Sequence, residues 1–138
     1  MNCRAIIIHN LEHARAAMAV AEKLGVALTL RSAPNAAAYL GAAVFRRIID
    51  EAARTCPDVA FTAVLDCGKA PGQALYALRC GIKGISVDAP AEVLKKIADI
   101  AARTGAFIDN GEEEALDLLL EDDAVMACRE WLKNGQRK

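Results

Sequence analysis

Asp66 and Cys67 stand side by side in the stretch FTAVLDCGKAPG, residues 61–72, where an apolar run gives way to a Gly/Pro-rich turn. A carboxylate at such a place can move protons as acid or base, and a thiolate can attack a carbonyl or bind a soft metal. His9 would serve as the base for the thiol only if the strands carrying the two residues were neighbours. Other polar side chains fall at comparable places, just beyond apolar runs: His9 and Asn10, Ser32, Lys69, Asp88 and Asp109. They are the candidate ligand-binding residues. Asp, Asn and Ser are also turn and cap formers, so a retained pocket and plain strand-end capping both account for them.

The elements that must position these residues repeat one unit. Short apolar runs RAIIIH, VALTLRS, AFTAVLD, IKGISVD and AFIDN alternate with amphipathic stretches NLEHARAAMAVAEKLG, AAVFRRIIDEAARTCP, PGQALYALRCG and PAEVLKKIADIAARTG. The runs are short and almost continuously apolar, as strands buried on both faces are, and the intervening stretches place Leu, Ile, Val and Ala at helical spacing before a Gly or Pro stop. Five βα units predict a parallel sheet in one α/β domain over residues 1–138. The remaining segment, 111–138, opens on the acids Glu112, Glu113 and Glu114 and reads as one helix broken near Glu121–Asp123, or two. Its last residues, NGQRK, read as a frayed tail.

At 138 residues with 54% apolar content the chain can form a core without staples, and with only 4% aromatic residues Ala, Leu, Ile and Val must pack it. Its 17 basic residues against 18 acidic ones form no basic stripe, which removes the electrostatic case for nucleic acid. No run approaches the about 20 apolar residues of a membrane span. Cys3, Cys56, Cys67, Cys80 and Cys128 are odd in number and never spaced as C-x-x-C, so reduced thiols in a cytoplasmic protein are expected, with all but Cys67 as small core residues.

Taken in order, Asn10-Leu11-Glu12, Tyr39-Leu40-Gly41, Leu65-Asp66-Cys67-Gly68 and Gly81 through Asp88 resemble the N-terminal half of class II, zinc-dependent fructose-bisphosphate aldolases over about residues 5–90. The resemblance implies a (β/α)8 fold, of which five units make a partial, half TIM-barrel-like sheet; a doubly wound, flavodoxin-like open sheet is the alternative. It also implies an acid/base role for Asp66, puts Cys67 where the family has a zinc-binding His and sets Asp109 roughly at a family Glu ligand, so that zinc would have at most Cys67, Asp109 and His9, fewer firm ligands than a catalytic zinc needs. The expectation is therefore no resident metal or cofactor, with zinc held partly by Cys67 as the alternative. Val64 replaces a further His, no His follows His13, and no Gly-rich phosphate loop follows the fifth strand. The implied function is thus a truncated aldolase-like protein that binds a small metabolite or assembles as a homodimer. A divergent metal-dependent aldolase or lyase using Asp66, and a thiol-dependent enzyme or redox sensor using Cys67, are the alternatives.

Overall fold

The computed structural model describes residues 4–111 and 113–136, so Cys3 and Glu112 lie outside the described residues, as do the last two residues of the expected tail. The chain forms two compact units: one takes in Met1–Arg31, Ile48–Thr62 and Glu113–Lys138, the other Ser32–Arg47 and Ala63–Glu112.

In the first unit, β1 (Arg4–Ile7) pairs in parallel with β2 (Leu28–Arg31), Arg4 opposite Leu28 and Ile7 opposite Arg31. Helix α1 (Leu11–Leu24) connects them. Asn10 starts it by accepting the N–H of His13, and Gly25 stops it at φ 67°, a left-handed conformation that glycine adopts without a Cβ penalty. Ala14, Ala17, Met18 and Ala21 recur at helical spacing and are fully buried. The small alanines let α1 lie close on α6 (Ala124–Gln136). From α6, Cys128 and Leu132 point inward, while the Trp131 indole N–H donates to the Ala5 carbonyl at 2.9 Å. The Arg4 guanidinium lies 4.0 Å from the centre of that ring, a cation–π contact. Ile6, Met18, Leu28 and Leu30 complete the core, each worth about 1.5–3 kcal/mol of apolar burial.

The expectation of one or two helices over 111–138 is corrected here. Ala115–Asp117 forms a sixth strand, β6, parallel to β1 with Ala5 opposite Ala115 and Ile7 opposite Asp117. A 3-10 turn, Leu118–Leu120, follows, and only then α6. The exposed backbone donors and acceptors of β1 are the reason, since a strand edge is satisfied by any short segment laid along it. The leucine run that looked helical buries Leu118 alone; Leu119 and Leu120 are exposed. Because β1 has a parallel neighbour on each side, β2 and β6, the order that would bring strands one and three together in a flavodoxin-like sheet is not formed.

The second unit holds α2 (Ala36–Tyr39), a turn the sequence pattern did not separate from its loop, and the first half of α3 (Ala42–Arg54), with Phe45 buried. The end of β3 (Phe61–Asp66) pairs in parallel with β4 (Gly84–Ser86), which pairs in parallel with β5 (Phe107–Ile108). Helices α4 (Pro71–Arg79) and α5 (Ala91–Arg103) are the crossovers. At Gly84 a Cβ would meet the Ala63 carbonyl at 2.6 Å, so β3 and β4 approach as they do only because that position has no side chain. Every strand pair described within the units is parallel, the outcome that the alternating strand and helix pattern predicts.

Candidate functional site

Register brings Asp66, the last residue of β3, opposite Ser86, the last residue of β4. Around the Asp66 carboxylate three donors converge. Oδ1 accepts the backbone N–H of Asn35 at 2.9 Å and of Gly68 at 2.8 Å, and Oδ2 accepts the Ser86 hydroxyl at 3.0 Å. From the other side, the buried Ser32 hydroxyl accepts the Asp66 N–H at 2.9 Å and donates to the Ala33 carbonyl at 3.0 Å. Asn35 and Gly68 both have left-handed backbone, φ 59° and 57°. The turns they form aim their N–H groups at one oxygen, a small nest for a carboxylate. A Cβ on Gly68 would fall 2.5 Å from the Asn35 side-chain oxygen, so glycine is needed for space as well as conformation.

The other residues singled out in this unit are placed differently. Cys67 follows Asp66 but points away from it, as successive side chains of an extended strand do. Its thiol is fully buried, directed to the Leu65 carbonyl at 3.7 Å, and burial followed by the charge of Asp66 pushes it up to about 11. A thiol so placed is protonated and shielded, the opposite of the low-pKa, accessible cysteines that act as nucleophiles. Asp88 reaches the cluster only through its backbone, its N–H donating to the Gly68 carbonyl at 2.7 Å, while its side chain is exposed. Lys69 is exposed. Asp109 accepts the Gly111 N–H at 2.8 Å, a local turn.

A second polar cluster lies in the first unit, at the ends of β1 and β6. His9 Nε2 is 2.7 Å from Asp117 Oδ1, which also accepts the Leu119 N–H at 2.9 Å. Asn10, one of the candidate ligand residues, is committed to the start of α1, and His13 answers it by accepting the His9 N–H on Nδ1 at 3.1 Å. The exchange is reciprocal like a capping box, but the imidazole takes the N–H of His9, one residue before the Asn10 cap, and not that of the cap itself. It also fixes the neutral His13 proton on Nε2. The two rings meet edge to face, their centres 5.7 Å apart. Burial, then the neighbouring His9, lowers the His13 pKa against the opposing charges of Asp117 and Glu12. For Asp117 burial is the largest influence and acts upward. The Leu119 N–H and His9 together outweigh it and leave the carboxyl below its ordinary value.

Sequence reasoning passed over Ser86, Asn35 and Asp117. Ser86 ends its strand two residues before Asp88, and only register distinguishes them. Asn35 contributes through its backbone, which no residue-type search detects. Asp117 was hidden in a segment read as helix.

Zinc, which the resemblance implies, finds no matching ligand set here. Among the described residues no three His, Cys, Asp or Glu groups converge as a metal site. In the His9 cluster, Nε2 of His9 and Nδ1 of His13 are already committed to Asp117 and to backbone. No helix among the described residues is long and apolar enough to cross a membrane.

Comparison with known proteins agrees with this architecture. No curated protein sequence matches the chain. Among solved structures, the crystal structure of a candidate fructose-1,6-biphosphate aldolase from Coccidioides immitis superposes with a TM-score of 0.63 at 23% identity. The match covers 77% of this chain and 39% of that one, so the chain shares the α/β fold over little more than a third of that protein's length. This is a partial TIM-barrel-like arrangement. The family profile described as fructose-bisphosphate aldolase class-II matches residues 2–108, which include β1 through β5 and the Asp66 cluster, and the chain therefore belongs to the class-II fructose-bisphosphate aldolase family.

Proposed function

We propose that this aldolase-family chain binds a small hydroxylated metabolite at the strand ends around Asp66 and does not cleave it. One observation carries the reading. The Asp66 carboxylate is held by donors from three separate strand-end segments, with Oδ1 doubly engaged and Oδ2 facing the Ser86 hydroxyl alone. A carboxylate oxygen accepts more than one donor, so Oδ2 retains capacity for a hydroxyl of a bound molecule, and Ser86 can accept as well as donate. Oδ1, engaged by two backbone N–H groups, fixes the carboxylate so that Oδ2 is the oxygen presented to a ligand. The thiol alternative loses ground because Cys67 is buried and its pKa is about 11.

Family membership is what favours the second reading, a divergent lyase in which Asp66 moves the proton. The two are separated by calorimetric titration with fructose 1,6-bisphosphate, fructose and glycerol, run beside a cleavage assay and elemental analysis of the same preparation. Saturable binding that disappears in Asp66→Asn, with folding intact and no cleavage, is the expected result. Cleavage that depends on Asp66 and on stoichiometric metal would establish the lyase instead. Absence of binding to all three probes would remove the hydroxylated-ligand reading.

A further inference from the structure

Two residues before Asp66 and Ser86 on their strands, and on the same face of the sheet, stand Val64 and Gly84, opposite each other in register. Phe107, the first residue of β5, is opposite Gly84 on the other side. Its ring reaches over that glycine, since a Cβ there would fall 2.9 Å from Phe107 Cζ and 3.0 Å from a Val64 methyl. The missing side chain is what lets the ring lie against the sheet. Phe107 nevertheless stays 40% exposed, whereas Val64 is 1% exposed. A single exposed apolar side chain is ordinary on a protein surface. This one stands one side-chain row, about 7 Å along the strands, from Asp66 Oδ2, which Ser86 alone engages and which can accept a further donor.

We infer that the ligand of the Asp66 site is an uncharged sugar in its ring form, its C–H face resting on Phe107 and a hydroxyl at its edge donated to Asp66 Oδ2. The inference rests on the proposed binding function and deepens it, naming the ligand class and the residue that selects it. A sugar ring carries C–H groups on a face and hydroxyls around the edge, the same division that Phe107 and Asp66 present. The face of an aromatic ring is electronegative and attracts polarised C–H groups. An open-chain polyol offers no such face and loses more internal freedom when it is held. A phosphorylated sugar is disfavoured, because Asp66, Asp88 and Asp109 outnumber Lys69 at these strand ends. A wholly apolar occupant would strip water from the Oδ2 carboxylate oxygen and put no donor in its place.

The test is an NMR titration of the full chain with the methyl pyranosides of glucose, galactose and mannose, whose rings cannot open, beside sorbitol and glucose 6-phosphate. At least one pyranoside should bind about tenfold more tightly than sorbitol or the phosphate, with nuclear Overhauser contacts between its ring C–H protons and the Phe107 ring. Phe107→Leu should remove the preference over sorbitol and leave sorbitol binding unchanged. Phe107→Trp should retain it, which a merely structural role for the side chain does not predict. Equal binding of pyranosides and sorbitol, or a preference that survives Phe107→Leu, would overturn the inference while Asp66-dependent binding stood. Should Phe107→Leu fail to fold, absence of the Overhauser contacts in the wild type would overturn it equally. Failure of every probe to bind, fructose and glycerol included, would remove the proposed binding function and the inference with it.

Discussion

Asp66 and His9 both stand where a parallel strand ends, yet the structure holds them by different means. Asp66 accepts two backbone N–H groups and a hydroxyl, and its own N–H is accepted by a buried serine. His9 is held chiefly by a side-chain hydrogen bond with Asp117, whose side chain is 49% exposed. In the first case the turns of the chain make the site, so a change in the acid disturbs several loops at once. In the second, two side chains meet over a surface, and water can replace either. A part-buried polar cluster with every partner satisfied is costly to break and fixes geometry, whereas an exposed pair tunes stability with pH and costs little to lose.

The largest effect should follow Asp66→Ala. It leaves the N–H groups of Asn35 and Gly68 and the Ser86 hydroxyl without their acceptor, and about 2–3 kcal/mol of stability should go in denaturant unfolding. Asp66→Asn keeps one oxygen for the two N–H groups and should lose less. A cost within about 0.5 kcal/mol for the alanine variant would mean that the cluster is as dispensable as the His9 pair and that the contrast fails.

Ser86→Ala sharpens the comparison at the next level. It removes one donor from Oδ2 and should cost about 1 kcal/mol. Combined with Asp66→Ala it should cost less than the sum, because the two changes delete the same bond. Full additivity would show that Ser86 and Asp66 act separately.

What could be read from the sequence follows the same division. Strands and helices with a strong periodic signal were legible: GIS lies inside the expected IKGISVD, and α1 and α5 each fall within a residue or two of their Gly, Asn and Pro boundary signals. Residues 115–117 were not legible as a strand, because their pairing with β1 depends on backbone groups of a distant segment and not on their own side-chain pattern. Asp66 and Ser32 were found because they are chemical residues at strand ends. The groups that complete their cluster, the N–H groups of Asn35 and Gly68, are the same atoms in every residue but proline and have no signature in the sequence. Asn10 and Asp109, chosen by the same reasoning, cap a helix and close a turn; residue type alone does not separate those uses from binding.

The smallest effect, and the sharpest on the first unit, is its response to acid. His13 is held below its ordinary 6.5 by burial first and by His9 second, so the folded state binds its proton more weakly than the unfolded chain does. The stability this represents is present above 6.5 and declines as pH falls through the lower folded value. Asp117 also has a lowered folded pKa, burial being outweighed by the Leu119 N–H and His9. Its contribution is present above the unfolded carboxyl range and is lost further down, as pH falls through the folded value. Both act in one direction, and for such exposed groups the total should stay within about 1 kcal/mol. Unfolding midpoints followed through Trp131 fluorescence, which reports on the first unit through its bond to Ala5, should fall in two steps on acidification. His13→Gln should remove the upper step and Asp117→Asn the lower. If Asp117→Asn instead cost as much as Asp66→Ala at neutral pH, the His9 pair would be a structural anchor of the same rank, and exposure would be a poor guide to which strand-end cluster organises the chain.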